Sequence, residues 1–572
     1  MPESVRSLSV LESTDATRLA IAITLLAAVL YLPFLGAVSL FDWDEVNFAE
    51  SAREMLVSGN YGRVQIGFKP FWEKPPLFFW MQALAMKMFG INEFAARLPN
   101  ALFGILTLFT LFYIGKQKAG NSFGVLWALL FGGSILPMLY FKSGIIDPVF
   151  NYFIFISLFF LSKAHEDITA TDSDSRKQAG QEVKFYAMAG VGAGLAVLTK
   201  GPVGLLLILL TAFSYYLLQW WKKTAPVQLK AIPVLLFLLC TCLVASLWFG
   251  VEVVKHGPSL LKEFVTYQVR LFSTSDAGHA QPLYYHWVVV FLGCFPLSVF
   301  ALPAFFRHRS GNSSFALLMK CLFFVVMILF TIVKTKIVHY SSMAYLPLSF
   351  LAVQCLHQWL SEGQPIPRFV KGLFTGLGLL WATLLIALPF FAGNIHLLLP
   401  YIKDPFAAAC FQTTVEWHSW GQIIGVAIAF LVLTVSFTMS KHKYWSIFLM
   451  LVTFPLLLGL YFAVVAPKIE LYTQAPAIRF YKEMAGKPVY VEPIGFKSYA
   501  HLFYFGLMPG HRPEQYSDEW LLTGEIDRPA YLITKINRTK LVTEKSPDSR
   551  LLKTEGGFVF FEKLPKKVKS EK

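Results

Sequence analysis

Charged residues that could take part in group transfer stand beside apolar segments in the first half of the chain. Asp42, Asp44 and Glu45 lie within four residues of one another, just after the first apolar run. A carboxylate there can act as a general base or hold a cation, although a solvated acidic turn explains the same residues. Glu73 and Lys74 precede two prolines, which hold the pair extended. Lys74 can thus face a phosphate, or the two residues form an exposed ion pair of a rigid turn.

Asp147 and Lys200 each mark one end of an apolar segment. Asp147 opens its segment, where a carboxylate can cap the first helical turn and complement the helix dipole. An acidic residue at a membrane interface is also a candidate functional group. Lys200 stands between two apolar segments, where it can extend its ammonium group to the interface or bind a lipid phosphate.

Further cations occur in two later segments. Arg270 offers a planar guanidinium that suits phosphate groups, and His279 follows it as a candidate ligand. Lys334 and Lys336 precede Tyr340 at the outward end of an apolar segment, where basic residues are rare. Acids and phosphate-binding bases on one face of a membrane fit a polyprenyl-phosphate sugar donor, whose departing phosphate the cations stabilise.

The apolar segments that must position these residues are predicted membrane helices. Of 572 residues, 55% are hydrophobic and 15% are charged. Apolar blocks of about twenty residues cross about 30 Å of hydrocarbon as helices. The fold class is therefore an all-α polytopic membrane protein with about thirteen transmembrane helices. The predicted spans are 18–39, 94–115, 122–141, 147–162, 184–199, 202–221, 231–250, 284–306, 319–338, 342–360, 371–392, 418–438 and 444–466. The first is interpreted as a retained span, because no small-residue cleavage site follows it.

The distribution of lysine and arginine predicts the orientation of these spans. With the N-terminus in the cytoplasm, every inside loop is basic, and the loops 40–93 and 251–283 lie outside. The net charge of +15 is then explained by loops that anchor helices, so no nucleic-acid partner is expected. Within the first outer loop, residues 47–56 are predicted to form an amphipathic helix in the plane of the interface.

The end of the chain differs in composition from the rest. Residues 1–466 are predicted to form the transmembrane domain, and the more polar residues 467–572 a small soluble α/β domain on the outer side. Strand-like runs at 488–491, 530–534 and 557–561, with a helical stretch at 477–485, support this interpretation.

The ordered motifs resemble the aminoarabinose transferases of lipid A, which belong with the protein O-mannosyltransferases in the GT-C superfamily. The motifs are residues 44–50, 53–56, Gly59, 73–77, 97–102, Asp147, 199–201, Arg270, His279 and the Lys336, Tyr340, Pro347 pattern. They extend over residues 20–350, and the second half of the chain matches the family poorly.

This resemblance implies an enzyme of the bacterial inner membrane with a periplasmic active site. It would move a sugar, with 4-amino-4-deoxy-L-arabinose as one option, from undecaprenyl phosphate to lipid A or another periplasmic acceptor. The resemblance implies that Asp44 and Asp147 are the essential acids. It places Lys74, Lys200 and Arg270 near the donor phosphate, and it makes Glu73 and His279 candidate ligands for a divalent ion, zinc. Lys336 is predicted to join the phosphate-binding group, with Glu45, Arg53 and Tyr340 as further site residues.

Three alternatives stay open at this point. The first is a transferase of another sugar to protein or polysaccharide, or a ligase that moves whole oligosaccharides. The second is a flippase for the same lipid, but transporters place polar residues at the bilayer midplane and show repeated halves, and this sequence shows neither. The third is a structural scaffold, which leaves the outward lysines unexplained.

Overall fold

The computed structural model describes residues 3–42, 44–169, 175–222, 230–273, 281–306 and 314–566. Up to residue 471 the described chain is almost wholly helical, with one short hairpin. Its helices are α1 (Glu3–Ser13), α2 (Ala16–Tyr31), α3 (Asp44–Ser58), α4 (Leu77–Phe89), α5 (Glu93–Gly132), α6 (Ile135–Phe141), α7 (Asp147–Thr169), α8 (Ser175–Lys200), α9 (Val203–Lys222), α10 (Ala231–Ser246), α11 (Phe249–His256), α12 (Ser259–Ser273), α13 (Tyr285–Gly293), α14 (Leu297–Phe306), α15 (Ser314–Ile332), α16 (Tyr345–Ser361), α17 (Arg368–Gly393), α18 (Pro405–Phe411), α19 (Trp420–Thr438) and α20 (Lys443–Leu471). The hairpin pairs β1 (Gln65–Ile66) with β2 (Lys69–Pro70), and a 3-10 segment, Val338–Ala344, precedes α16.

The tail contains a four-stranded mixed sheet. Its elements are α21 (Ala475–Met484), β3 (Tyr490–Pro493), α22 (Ala500–Phe505), α23 (Asp518–Thr523), β4 (Ala530–Lys535), α24 (Lys540–Lys545), β5 (Arg550–Glu555) and β6 (Phe558–Lys563). The strand order is β3-β4-β6-β5, with β3 parallel to β4 and the other pairs antiparallel. The three predicted strand-like runs coincide with β3, β4 and β6. The fourth strand, β5, lacks apolar alternation because it is a largely exposed edge strand.

Six helices of the described chain are long and apolar enough to cross a membrane. They are α5, α9, α15, α17, α19 and α20, and the bent pairs α10–α11 and α13–α14 raise the number to eight if each pair is one span. The predicted multi-pass helical architecture is thus confirmed. The count of thirteen stays a prediction, as does the division of the chain at residue 466.

One predicted span is broken in the structure. The apolar run 284–306 divides into α13 and α14, whose axes differ by 117°. Pro296 stands at the break, and a proline lacks the backbone N–H that would continue the helical hydrogen bonds. Hydropathy is high on both sides of the break, so the sequence pattern conceals it. The run 231–250 likewise bends by 53° between α10 and α11.

The helix α3 corrects the prediction of an amphipathic interfacial helix. Every residue from Glu45 to Met55 is buried, including the charged ones. The tail covers this helix: α22 packs against it, and Arg53 donates a hydrogen bond to the backbone oxygen of Leu507 at 2.7 Å. The helix is therefore enclosed between α4 and the tail.

Candidate active site

Asp147 and Lys200 meet because α7 begins where α8 ends and the two helices pack against each other. The Lys200 Nζ atom lies 2.5 Å from Asp147 Oδ1. The side chains are 13% and 4% exposed, so the ion pair is largely shielded from water. Lys200 also lies over the rings of Tyr340 and Phe150, at 5.1 and 5.7 Å from their centroids. A lysine held between a carboxylate and two aromatic rings keeps its charge in a defined place.

His339 connects the two acids that were predicted to be essential. Its Nε2 atom lies 3.4 Å from Asp44 Oδ2 and 3.8 Å from Asp147 Oδ2. Asp44 begins α3, and its side chain is 42% exposed, whereas that of Asp147 is buried. The two carboxylates therefore share one imidazole, with Asp44 on the side that is open to solvent.

A second cationic group surrounds Tyr267 on α12. The Tyr267 hydroxyl donates a hydrogen bond to Glu73 Oε2 at 2.8 Å. The same ring is contacted by Lys74 Nζ at 5.3 Å and by the Arg270 guanidinium at 5.1 Å from its centroid. The loop before α4 and the helix α12, far apart in sequence, thus bring two cations and a carboxylate together.

Lys74, Asp147 and Lys200 line one cavity of about 100 Å³. Its other lining residues are Phe150, Asn151, Val203, Leu207, Gln268, Phe330, Val333, Tyr340 and Met343. Most of these are apolar, and the charged groups come from the loop before α4 and from the helix ends at Asp147 and Lys200. A phosphate on an apolar chain has the complementary distribution of charge.

Burial changes the proton affinity of two groups at this site. Burial lowers the pKa of Lys74, the nearby Glu73 carboxylate opposes this change, and Lys200 lowers it further. Burial also lowers the pKa of His339, against the carboxylates of Asp147 and Asp44. The site therefore favours a neutral imidazole and a lysine that loses its proton more readily than an exposed one.

Other predicted site residues have structural partners away from this cavity. Glu45 accepts hydrogen bonds from Arg97 at 2.7 and 2.8 Å, and from the backbone N–H groups of Phe41 and Gly144. Burial by itself would raise the pKa of Glu45, but these contacts hold it below the usual value. Arg53 forms a buried ion pair with Glu50 at 2.7 Å.

Two more predicted residues differ in how far the structure describes them. Lys336 is buried and donates a hydrogen bond to the Val333 backbone oxygen at 2.7 Å. It therefore lies close to the cavity wall without lining it. His279 falls outside the described residues, so its predicted role as a ligand stays a prediction.

Sequence reasoning gave no role to two residues that the structure places at the site. His339 carries no local sequence signal, because its position between the acids depends on the 3-10 segment that contains it. Asn151 lines the cavity and donates a hydrogen bond to Ser342 Oγ at 2.8 Å. The sequence spacing could have indicated Asn151, because it follows Asp147 by one helical turn and therefore lies on the same face of α7.

Comparisons with known proteins find relatives of the kind that the sequence motifs resemble. The family profile described as dolichyl-phosphate-mannose-protein mannosyltransferase matches residues 73–249. An uncharacterized protein of Aquifex aeolicus is 27% identical over 66% of this chain and 71% of its own length. An undecaprenyl phosphate-alpha-4-amino-4-deoxy-L-arabinose arabinosyl transferase of Shewanella sediminis is 26% identical over 59% of each chain. The match thus spans about three fifths of that transferase.

A solved structure matches nearly the whole fold. The crystal structure of ArnT from Cupriavidus metallidurans bound to undecaprenyl phosphate superposes with a TM-score of 0.75 and 17% sequence identity. The superposition covers 96% of this chain and 98% of that one. The comparisons therefore confirm the predicted resemblance to the aminoarabinose transferases, and the superposition shows that the two proteins share a fold.

Proposed function

We propose that this protein transfers a sugar from an undecaprenyl-phosphate donor to an acceptor on the periplasmic face of the bacterial inner membrane. The observation that carries the proposal is the cavity in which Lys74, Lys200 and Asp147 face mostly apolar walls. The names of the relatives favour 4-amino-4-deoxy-L-arabinose as the sugar, and the family resemblance favours lipid A as the acceptor.

The cations act on the leaving group. When the bond between the sugar's anomeric carbon and the phosphate oxygen breaks, the lipid phosphate takes the electron pair and gains negative charge. Lys74 and Lys200 line the cavity and can stabilise that charge, and Arg270 contacts the same Tyr267 ring as Lys74. Lys336 adds positive potential behind the cavity wall. An acceptor oxygen forms the new bond to the anomeric carbon, in line with the departing oxygen.

The acids act on the acceptor or on the sugar. Asp44 is the exposed member of the acid pair, so it can accept the proton of an acceptor hydroxyl. An acceptor phosphate is already anionic near neutral pH and needs no base. In that case Asp44 and Asp147 orient the sugar, and an amino sugar would present a cation to them. Tyr340, which contacts the Lys200 ammonium group, closes the cavity beside them.

A divalent ion near Glu73 is part of the proposal, with His279 as its second ligand. A carboxylate and an imidazole suit zinc, which would stabilise negative charge close to the donor phosphate. Glu73 already accepts the Tyr267 hydroxyl. Among the described residues no group of three or more His, Cys, Asp or Glu side chains could hold a metal. No step of the transfer proposed above requires the ion.

The same proposal fixes the orientation of the chain. In the proposed orientation, which the basic inside loops support, the candidate site, the loops 40–93 and 251–283, and residues 467–572 lie in the periplasm. The tail is then a small periplasmic α/β domain that covers α3.

The testing experiment mixes purified protein with synthetic undecaprenyl-phosphate aminoarabinose and lipid A, and follows sugar transfer by mass spectrometry. The variant is Asp44→Asn, and the matched control is Asp404→Asn, an exposed aspartate that caps α18 and whose replacement by asparagine keeps a capping side chain. Transfer by the wild type and the control, lost in Asp44→Asn, supports donor, acceptor and site together. Translocation of intact donor without cleavage would instead favour a flippase. If sugar were transferred only to proteins or to other glycolipids in cell extracts, lipid A would not be the acceptor.

A further inference from the structure

A second cavity, of about 510 Å³, lies between the hairpin β1–β2 and the tail. Its lining residues are Ile66, Gly67, Lys69, Glu492, Pro493, Gly495, Phe496, Lys497, Ser498, Tyr499, His501, Leu502, Arg512 and Asp518. It shares none of these residues with the cavity at Asp147 and Lys200. Its volume is in the range of small-molecule sites. This seam cavity has no part in the transfer proposed above.

The floor of the seam cavity is a buried polar network. Glu492, on the edge strand β3, accepts hydrogen bonds from Arg512 at 2.6 Å and from Tyr516 at 2.7 Å. His501 lies 3.5 Å from the other Glu492 oxygen and is only 5% exposed. The buried Arg512 Nε atom has no hydrogen-bond partner in the described part of the chain. Unpartnered buried donors are rare, and the Arg512 side chain, which is 24% exposed, lines the cavity and can contact a ligand there.

The rim of the seam cavity adds cations and aromatic rings. Lys69 and Lys497 are exposed at the mouth, and Phe496 and Tyr499 line the wall beside them. Lys497 lies over the Tyr499 ring, at 5.4 Å from its centroid. Three cations thus face two acids, Glu492 and Asp518, so the lining has a net positive formal charge. Arg512 provides the fork geometry that matches phosphate or carboxylate groups.

We propose that the seam cavity binds an anionic saccharide, a sugar unit that carries a phosphate or carboxylate group. The cations take the anionic group, the aromatic rings face the sugar, and the carboxylates of Glu492 and Asp518 accept its hydroxyl groups. Burial raises the pKa of Glu492, and both the Arg512 guanidinium and the hydrogen bond from Tyr516 oppose this change.

Three backbone hydrogen bonds connect the seam cavity to the segment that contains Asp44. The Tyr499 backbone N–H donates a hydrogen bond to Asp42 Oδ1 at 3.2 Å, and Asp42 stands two residues before Asp44. On the opposite wall, the backbone N–H groups of Gly67 and Phe68 donate to Glu54 on α3, at 2.5 and 2.8 Å. Both walls are therefore attached to the segment that presents Asp44. Identifying the bound saccharide as part of the sugar acceptor rests on the proposed function. The binding of an anionic saccharide in the seam cavity does not.

The test measures binding by full-length protein in lipid nanodiscs, using isothermal titration calorimetry. The probes are N-acetylglucosamine 1-phosphate, N-acetylglucosamine and inorganic phosphate. The variants are Arg512→Gln and Lys69→Gln, the second of which alters only an exposed side chain and should leave the fold intact. The matched control is Arg550→Gln, an exposed arginine on β5 at the opposite edge of the same sheet.

The expected result is binding of the sugar phosphate that is weakened about tenfold in each variant and unchanged in the control. Tighter binding of the sugar phosphate than of either phosphate or the neutral sugar supports the saccharide. Equal binding of inorganic phosphate would overturn the saccharide and leave a simple anion site. Binding that Arg512→Gln and Lys69→Gln leave unchanged, or no binding by the wild type, would overturn the cavity assignment. None of these outcomes depends on sugar transfer, so a failure of the proposed reaction is seen separately.

Discussion

The ammonium group of Lys200 lies 2.5 Å from a carboxylate oxygen of Asp147, where the end of α8 meets the start of α7. Because both side chains are largely buried, their attraction is screened less than that of an ion pair on the surface. The carboxylate thus keeps a charged lysine beside an apolar cavity. A lipid phosphate that enters the cavity meets a lysine that is already positioned.

Replacing Asp147 by asparagine should reduce sugar transfer by at least about 100-fold, because it removes the charge that positions Lys200 and the amino sugar. The measurement is the initial rate with saturating donor and acceptor. Asp404→Asn, at the exposed residue that caps α18, is the control and should keep the wild-type rate. A rate near that of the wild type in Asp147→Asn would remove Asp147 from the machinery.

Lys74→Gln should weaken the binding of undecaprenyl phosphate by about tenfold, because a charge-assisted contact to the phosphate is lost. Binding can be measured by the lipid's protection of the protein against thermal unfolding in detergent. Lys403→Gln removes an exposed lysine before α18 and serves as the control. Equal protection of the Lys74→Gln variant and the wild type would contradict the assignment.

The binding of undecaprenyl phosphate should weaken as the pH rises from about 7 towards 10. Burial lowers the pKa of Lys74 from its ordinary value of 10.5, so its positive charge is lost at a lower pH than that of an exposed lysine. Lys74→Arg should flatten this dependence, because arginine keeps its charge over the whole range. If lipid binding by Lys74→Arg declined with pH as steeply as that of the wild type, the pH dependence would belong to another group.

Glu45→Gln should lower the stability of the protein, whereas Asp44→Asn should lower its activity, although the two residues are adjacent. Glu45 is the buried partner of Arg97, so its loss leaves an unpaired buried cation and should cost about 3 kcal/mol or more of stability. Asp44 is 42% exposed and begins α3, so Asp44→Asn should keep the melting temperature and lose transfer. Thermal unfolding measured beside activity separates the two; a stable but inactive Glu45→Gln would show a direct role for Glu45.

The stability of the protein should fall as the pH rises through about 8, because of Glu54. Burial, with the neighbouring Glu50, raises the pKa of Glu54 from 4.5 to about 8. The folded protein therefore binds this proton more tightly than the unfolded chain, and the resulting stability is complete below pH 4.5 and lost as the pH approaches 8. In Glu54→Gln the amide nitrogen cannot accept a backbone N–H as the carboxylate does, so the variant should be less stable than the wild type at low pH. Its unfolding temperature should, however, fall by at least about 2 °C less than that of the wild type between pH 5 and pH 9. If the difference in unfolding temperature between Glu54→Gln and the wild type were the same at both pH values, this assignment would be contradicted.

The sequence by itself determined the class of the protein. Long apolar blocks require membrane helices, whatever their packing, because unpaired backbone groups are costly in hydrocarbon. The short motifs around Asp44, Lys74 and Lys200 were enough to indicate the family resemblance and the kind of donor. Turn and strand signals predicted β3, β4 and β6, because apolar and polar residues alternate in these segments or apolar residues form short runs.

Only the tertiary structure decided which of these residues act together. Asp147 and Lys200 are 53 positions apart, and His339 reaches both acids from another part of the chain, so no local pattern could pair them. Glu45 and Asp44 look alike in sequence, yet one is buried against Arg97 and the other faces the site. The tail likewise buries α3, which its own sequence shows as amphipathic. Burial depends on what covers a residue, and that is settled by contacts between distant segments.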